Sequence, residues 1–278
     1  MKVKKSSFLE LFYDHSIQIF TILVSVLPIL WVIMSSFKTN KSILNSPFSL
    51  PDVFGFSQYL DVFTKYNFTQ YFVNSFTVAI VATLISLIIY AMAGYVFAKY
   101  SFRGKEFLYI LLTLTLLVPG HAKIQPIFKL VLTLNLYDSL TGLIVVYTSF
   151  GMALALFILR ATFKTIPKSL DEAAMIDGAS FFAVFWKINM PLAKSGLATA
   201  GVLLFLGNWN EYFYALLLTS SSSKRTLPVA LGSFTEAFSY NYTQMFAALI
   251  IVIVPGIVLY LLTQEQVQKS VASSGVKG

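Results

Sequence analysis

Six apolar runs, almost free of charge, constrain this chain more than any other feature. Residues 17–37, 72–98, 139–159 and 237–264 contain no Asp, Glu, Lys or Arg. The run 107–120 is shorter and closes on a Pro119-Gly120 break, and 195–223 carries one acid, Glu211. A helix needs about 20 largely apolar residues to cross about 30 Å of hydrocarbon. The chain is 57% apolar and 12% charged, against roughly 45–50% and about 25% in soluble domains. With half the usual charge, part of its surface has to face lipid. The expected fold class is all-α integral membrane. One domain over 1–278 would hold six transmembrane helices near 17–37, 72–98, 107–130, 139–160, 192–219 and 243–264.

Lys and Arg set the expected orientation, because they accumulate on the cytoplasmic side. An even number of crossings puts both termini on one side, and that side holds thirteen of the twenty basic residues. Lys38, Lys41, Lys65, Lys123, Lys129, Lys224 and Arg225 lie opposite. The reading is a multi-pass membrane protein with both termini cytoplasmic. Its net charge of +8 then reflects this topology and anionic headgroups, and no nucleic-acid partner is expected. The first run exceeds a signal-peptide core, and Ser35-Ser36-Phe37-Lys38 is a poor cleavage site, so a retained helix is expected. There is no cysteine, which excludes disulfides and thiolate metal sites. His15, beside Asp14, and His121 form no zinc motif, so neither a metal nor a catalytic residue is expected.

Several features inside the runs leave alternatives. Thr83, Ser86, Tyr90 and Gly94 make a stripe of small or hydroxyl groups that suits helix packing or a hydrophilic path. The Pro119-Gly120 break, followed by His121, Lys123, Gln125 and Pro126, is a simple helix end or a broken helix lining a cavity. Tyr147, Thr148, Ser149 and Gly151 fall near the middle of the fourth run. Aromatic residues from Tyr59 to Phe72 suggest an interfacial helix. Residues 220–241 read as a polar outer loop.

The segment 166–192 is the longest piece on the terminal side. Pro167 suits a helix start, and Ser169 with Glu172 reads as a capping box. Asp171 and Glu172 complement the positive end of a helix. Ala173, Ala174, Met175 and Ile176 continue it until Gly178 supplies a positive φ. Ser180 could open a second helix through Phe182 and Trp186, with Pro191 beginning the next membrane run. An apolar hairpin of this kind marks a protein partner or lies on headgroups.

The spacing here resembles a known pattern. Glu172-Ala173-Ala174, three residues, Gly178, nine residues, Ile188, one residue and Met190-Pro191 are similar to the EAA loop of binding-protein-dependent ABC importer permeases. Met190 stands where that pattern has leucine, and Asp177 before the glycine also fits. Pro167, Asp177-Gly178-Ala179-Ser180, Trp209-Asn210-Glu211, Thr226-Leu227-Pro228 and Gly275-Val276-Lys277-Gly278 resemble the smaller subunit of maltose-type carbohydrate permeases, over nearly the whole chain. The resemblance implies a type I importer permease fold that is not itself an enzyme. It implies a second permease subunit in a heterodimer, two copies of an ABC ATPase that bind ATP and Mg, and an extracytoplasmic solute-binding protein. No cofactor is expected in this chain, where Gly104-Lys105-Glu106 lacks the phosphate-binding motif. Glu172, Ala173, Ala174, Asp177, Gly178, Ile188 and Pro191 would form the coupling element in a cleft of the ATPase. Gly275 to Gly278 would reach between the ATPases, or fray. The loop 220–241 resembles a scoop that enters the binding protein.

Glu211 is the one charge inside its run, and intramembrane acids are functional candidates. On a continuous helix Asn208, Glu211 and Tyr212 would share a face flanked by Trp209 and Tyr214, with Asn210 beside them. Carboxylate and amide suit sugar hydroxyls, and an aromatic face suits a pyranose. The alternative is a structural acid. A sugar or oligosaccharide is the expected cargo; Lys123 and Lys129 keep glycerol phosphate open, and a polyamine or another small polar solute is the remaining alternative.

Overall fold

The computed structural model describes residues 8–237 and 241–275, with side chains over 15–232 and 241–265. Among the described residues every regular element is helical. Three helices are long and apolar enough to cross a membrane, or up to six when each of three bent pairs counts as one span. The chain divides into two compact units: Met1–Phe68 with Leu231–Ile253, and Thr69–Ala230 with Val254–Gly278.

In the first unit, α1 (Phe8–Ser35) exposes Ile17, Ile19, Phe20, Ile22, Leu23 and Val24. Such a surface is stable only against lipid or another apolar face. Two short helices follow, α2 (Asn40–Asn45) and α3 (Ser57–Lys65). Lys38 between α1 and α2 is buried, its ammonium donating to the carbonyls of Ser46 and Pro47 at 2.9 Å each. Trp31 donates to the Pro47 carbonyl and packs edge-on against Phe246.

The second unit is built on α4 (Phe68–Lys99), α5 (Lys105–Thr113), α6 (Ile124–Thr133), α7 (Leu140–Thr148) and α8 (Met152–Thr165). A hairpin follows: α9 (Lys168–Ile176), α10 (Phe181–Ala183), a π-helical turn Val184–Asn189 and α11 (Met190–Leu192). Then come α12 (Lys194–Trp209) and α13 (Phe213–Leu218). Helices α14 (Leu227–Ala237) and α15 (Tyr242–Gly275) belong partly to each unit.

Small residues let α4, α8 and α12 approach closely. A Cβ at Gly94 would meet Leu159 at 2.9 Å, and one at Gly196 would meet Thr162 at 2.0 Å. Around these contacts Tyr90, Tyr95, Leu159, Phe163, Phe185 and Leu204 form a buried core.

Four expectations need correction. The stretch near 107–130 is not one helix: the axis turns by 105° between Lys105–Leu117 and Gly120–Thr133. Pro119 has no amide proton to donate and sits at φ −55°, ψ 135°, which ends the preceding turn. Residues 192–219 likewise divide at Asn210–Tyr212 into α12 and α13. Pro191 lies in α11, before an 82° bend into α12, and does not open the membrane helix. Finally, 220–241 is no continuous polar loop, because apolar residues from Leu227 onward build α14.

Candidate functional site

Three helix interruptions come together around one cavity of about 570 Å³. Its wall takes Thr115, Leu116, Gly120 and Lys123 from the first break, Ser149 to Ala153 from the α7–α8 break, and Glu211 and Tyr214 from the α12–α13 break. Within hydrocarbon, non-helical backbone survives only where protein or water satisfies it. The sequence supplies those partners. The Thr148 carbonyl, freed where α7 ends, accepts from Ser86 Oγ at 2.9 Å and Tyr90 Oη at 2.5 Å. The Gly120 carbonyl accepts from Tyr214 Oη at 2.9 Å. Gly151 takes φ +67° at the α7–α8 bend, and a Cβ there would strike Leu204 at 2.7 Å.

Glu211 caps the third break. Its carboxylate accepts from the Tyr214 and Ala215 amides at 2.9 and 3.0 Å and from Tyr147 Oη at 2.7 Å. A carboxylate at a helix start also meets the positive end of the helix dipole. The acid therefore both lines the cavity and holds α13 against α7.

The remaining residues expected beside it separate. The helix stops at Trp209, so Asn208, Glu211 and Tyr212 share no continuous face. Asn208 is buried and donates to Thr83 Oγ1 at 3.2 Å. Trp209 is 1% exposed, stacked on Phe205 and edge-on to Phe72, so its ring offers no platform to a sugar. Asn210 is exposed and bonded to the Leu206 carbonyl, and Tyr212 is exposed outside the cavity wall. Of the six, Glu211 and Tyr214 line the cavity. The stripe on α4 resolves toward packing: Thr83, Ser86 and Tyr90 are buried in hydrogen bonds, and Gly94 is a close approach.

The hairpin is the second candidate element. Helix α9 starts directly after Pro167, so Ser169 lies inside it and makes no capping box. Glu172 instead sits 3.6 Å from Lys168, both side chains well exposed. The helix ends in a paired closure: the Ala179 amide donates to the Ala174 carbonyl and the Gly178 amide to the Met175 carbonyl. Gly178 takes φ +85°, and a Cβ there would meet nothing within 4 Å, so backbone conformation alone selects glycine. Ser180 caps α10 through the Ala183 amide.

Ala173, Asp177 and Pro191 are exposed with Glu172 and Gly178, while Ala174 and Ile188 are half-buried. Met175, Ile176, Phe182 and Trp186 add a bulky apolar surface, with Ile176 86% exposed. Gly275 ends α15, and the rest of that expected contact, Val276, Lys277 and Gly278, lies outside the described residues.

Sequence reasoning gave no role at the site to Lys99 or Asn189, and treated Asp171 only as a dipole partner. Asp171 is 3% exposed, paired with Lys99 at 3.0 Å and accepting from Asn189 Nδ2 at 2.7 Å. An acid on the side of α9 opposite its exposed residues was the available signal, but no spacing rule names its partners.

Comparison with known proteins gives a consistent result. A family model described as "Binding-protein-dependent transport system inner membrane component" matches residues 90–272. The diacetylchitobiose uptake system permease protein NgcG of Streptomyces coelicolor is 32% identical, over 93% of this chain and 86% of its own. The trehalose transport system permease protein SugB of Mycobacterium tuberculosis is 32% identical, over 91% and 93%. A chain of a bacterial ABC transporter involved in import of the acidic polysaccharide alginate superposes with TM-score 0.81 at 25% identity, covering 95% and 99%. A second alginate transporter structure, in complex with an alginate pentasaccharide-bound periplasmic protein, superposes with TM-score 0.67 at 14% identity, covering 93% and 94%, and shares the fold.

Proposed function

The chain belongs to the binding-protein-dependent transport system inner membrane components, and from that premise we propose that it conducts a sugar or oligosaccharide across the bacterial inner membrane. The supporting observation is the cavity where three broken helices meet, whose largely apolar wall carries the Thr115, Ser149 and Tyr214 hydroxyls, the Lys123 ammonium and the Glu211 carboxylate. A few polar groups on the wall of such a cavity give a hydroxyl-rich solute hydrogen-bond partners to exchange for its water. The named cargoes of the relatives, diacetylchitobiose and trehalose, support the same class.

In this reading the chain works with a second permease subunit, two ATPases that hydrolyse ATP, and an extracytoplasmic binding protein. Both termini face the cytoplasm. The exposed residues of α9 and of the turn that closes it, Glu172, Ala173, Asp177 and Gly178, enter the ATPase, supported by Ile188 and Pro191 across the hairpin. Ala174 permits close approach. Gly275 to Gly278 are the C-terminal contact with the ATPases in this reading. ATPase closure moves the hairpin, and rigid helices carry that motion to the cavity. Lys123 on the cavity wall favours an anionic solute, such as an acidic sugar or glycerol phosphate, as the second reading.

Reconstituted vesicles containing the whole complex test this with a panel of radiolabelled neutral and acidic oligosaccharides. ATP-dependent uptake of a neutral sugar is expected. Uptake confined to an anionic solute would select the second reading, and transport of neither class would overturn both. Glu172→Lys and Gly178→Asp should abolish uptake and ATPase stimulation while the chain stays in the membrane. Unchanged transport would remove the coupling assignment.

A further inference from the structure

A buried polar cluster ties the hairpin to the end of α4. Lys99, the last residue of that helix, donates to the Ile166 carbonyl at 2.8 Å and pairs with Asp171 at 3.0 Å. The other Asp171 oxygen accepts from Asn189, whose amide group also donates to the Val184 carbonyl. The Lys99 and Asp171 side chains are 5% and 4% exposed, and Asn189 is fully buried. One cluster thus joins α4, the α8–α9 link, α9 and the π-helical turn. Tyr95, one turn earlier on α4, packs against Phe181 and Phe185 of the same hairpin.

Further back along α4, two side chains reach the edge of the cavity. Ser86 and Tyr90 hold the Thr148 carbonyl at the α7–α8 break, whose next residues, from Ser149 to Ala153, form the cavity wall. Lys99 and Ser86 are about 20 Å apart along one unbroken helix. Helices with this internal bonding pass displacement along their axis, whereas apolar contacts are non-directional and allow sliding. An ion pair with fixed hydrogen-bond geometry sets a register instead.

We infer that Lys99, Asp171 and Asn189 are positioning residues that lock the coupling hairpin to α4, making α4 the strut that moves the cavity wall. This rests on the coupling reading above. Neither residue of the ion pair would need to touch the ATPase or the cargo.

The absence of cysteine makes a direct test available. Ser149→Cys, on the cavity wall, is introduced into the full complex in vesicles. Its rate of modification by N-ethylmaleimide is measured without nucleotide and after trapping with ATP, Mg and vanadate. A change of about tenfold or more is expected in the otherwise unaltered chain, as a gating motion opens or closes the wall to reagent. Adding Lys99→Met with Asp171→Leu, which removes both charges together, should abolish that response while vanadate-sensitive ATP hydrolysis continues. Lys99→Arg, which keeps the charge, should retain it.

An unchanged response in the double variant would overturn the inference. So would loss of hydrolysis and response in parallel, or failure of the double variant to assemble, since either would mark the cluster as purely structural. If the Ser149→Cys chain shows no nucleotide response even with the cluster intact, the coupling reading itself falls.

Discussion

The hairpin at 166–192 and the cavity region around Glu211 both interrupt helices inside a packed unit, and each uses one acid to do so. Their chemistry differs. Asp171 is closed off with a cation and an amide, leaving the exposed face of α9 free for a partner. Glu211 has only neutral donors, two amides and a phenol, and borders open space. A charge compensated by another charge keeps a fixed register. A charge held by neutral donors stays in contact with whatever fills the cavity. The acid that defines the recognisable motif, Glu172, belongs to neither group, since it is exposed beside Lys168.

Three sets of measurements would break or sharpen that contrast. The largest effect should come from Asp171→Ala, which strands the Lys99 ammonium in a buried site and costs about 3–5 kcal/mol. Glu172→Ala next to it should stay within about 0.5 kcal/mol. Thermal unfolding of the purified complex in detergent reads both, and equal losses would erase the distinction between the neighbouring acids.

Glu211→Ala comes second. It leaves the Tyr214 and Ala215 amides and the Tyr147 hydroxyl without their acceptor, at about 1–3 kcal/mol for a buried donor. Glu211→Gln keeps one acceptor oxygen, so assembly should survive and vesicle uptake should change through the altered cavity wall. Disassembly of the Gln variant would reduce this acid to a cap.

The smallest effect concerns Asp138, in the link between α6 and α7. The Ser221 hydroxyl, the Ser221 amide and the Ser220 amide donate to it and hold its carboxyl down from 3.8 to about 2. A depressed acid contributes stability that is complete above its unfolded value and is lost as pH falls through its folded one. The wild type should therefore lose this contribution between about pH 4 and about pH 2. Asp138→Asn should show no such step in a pH series of unfolding midpoints. Identical profiles would show that this link contributes nothing.

Much of the molecule was legible in the sequence because composition and spacing are local quantities. Charge-free runs indicated helices in lipid, and Pro167, Gly178 and Ser180 marked the hairpin's start, turn and second helix in order. The capping box failed at Ser169 because Pro167 already sets the chain into the helix one residue earlier. The Asn208–Tyr214 face failed because the helix ends at Trp209, a break that a capping carboxylate stabilises and that apolar periodicity does not register.

By itself the sequence determined membrane helices and an exposed apolar hairpin, since hydrophobic length and turn chemistry depend on near neighbours. The permease reading came from the resemblance of the 172–191 spacing to the EAA loop. Tertiary structure alone decided that Lys99 meets Asp171, that Tyr90 and Ser86 reach Thr148, and that Trp209 is packed away from the cavity. Each of those pairs joins residues separated along the chain by several helical turns or more. Their meeting depends on how whole helices pack, which no local pattern encodes.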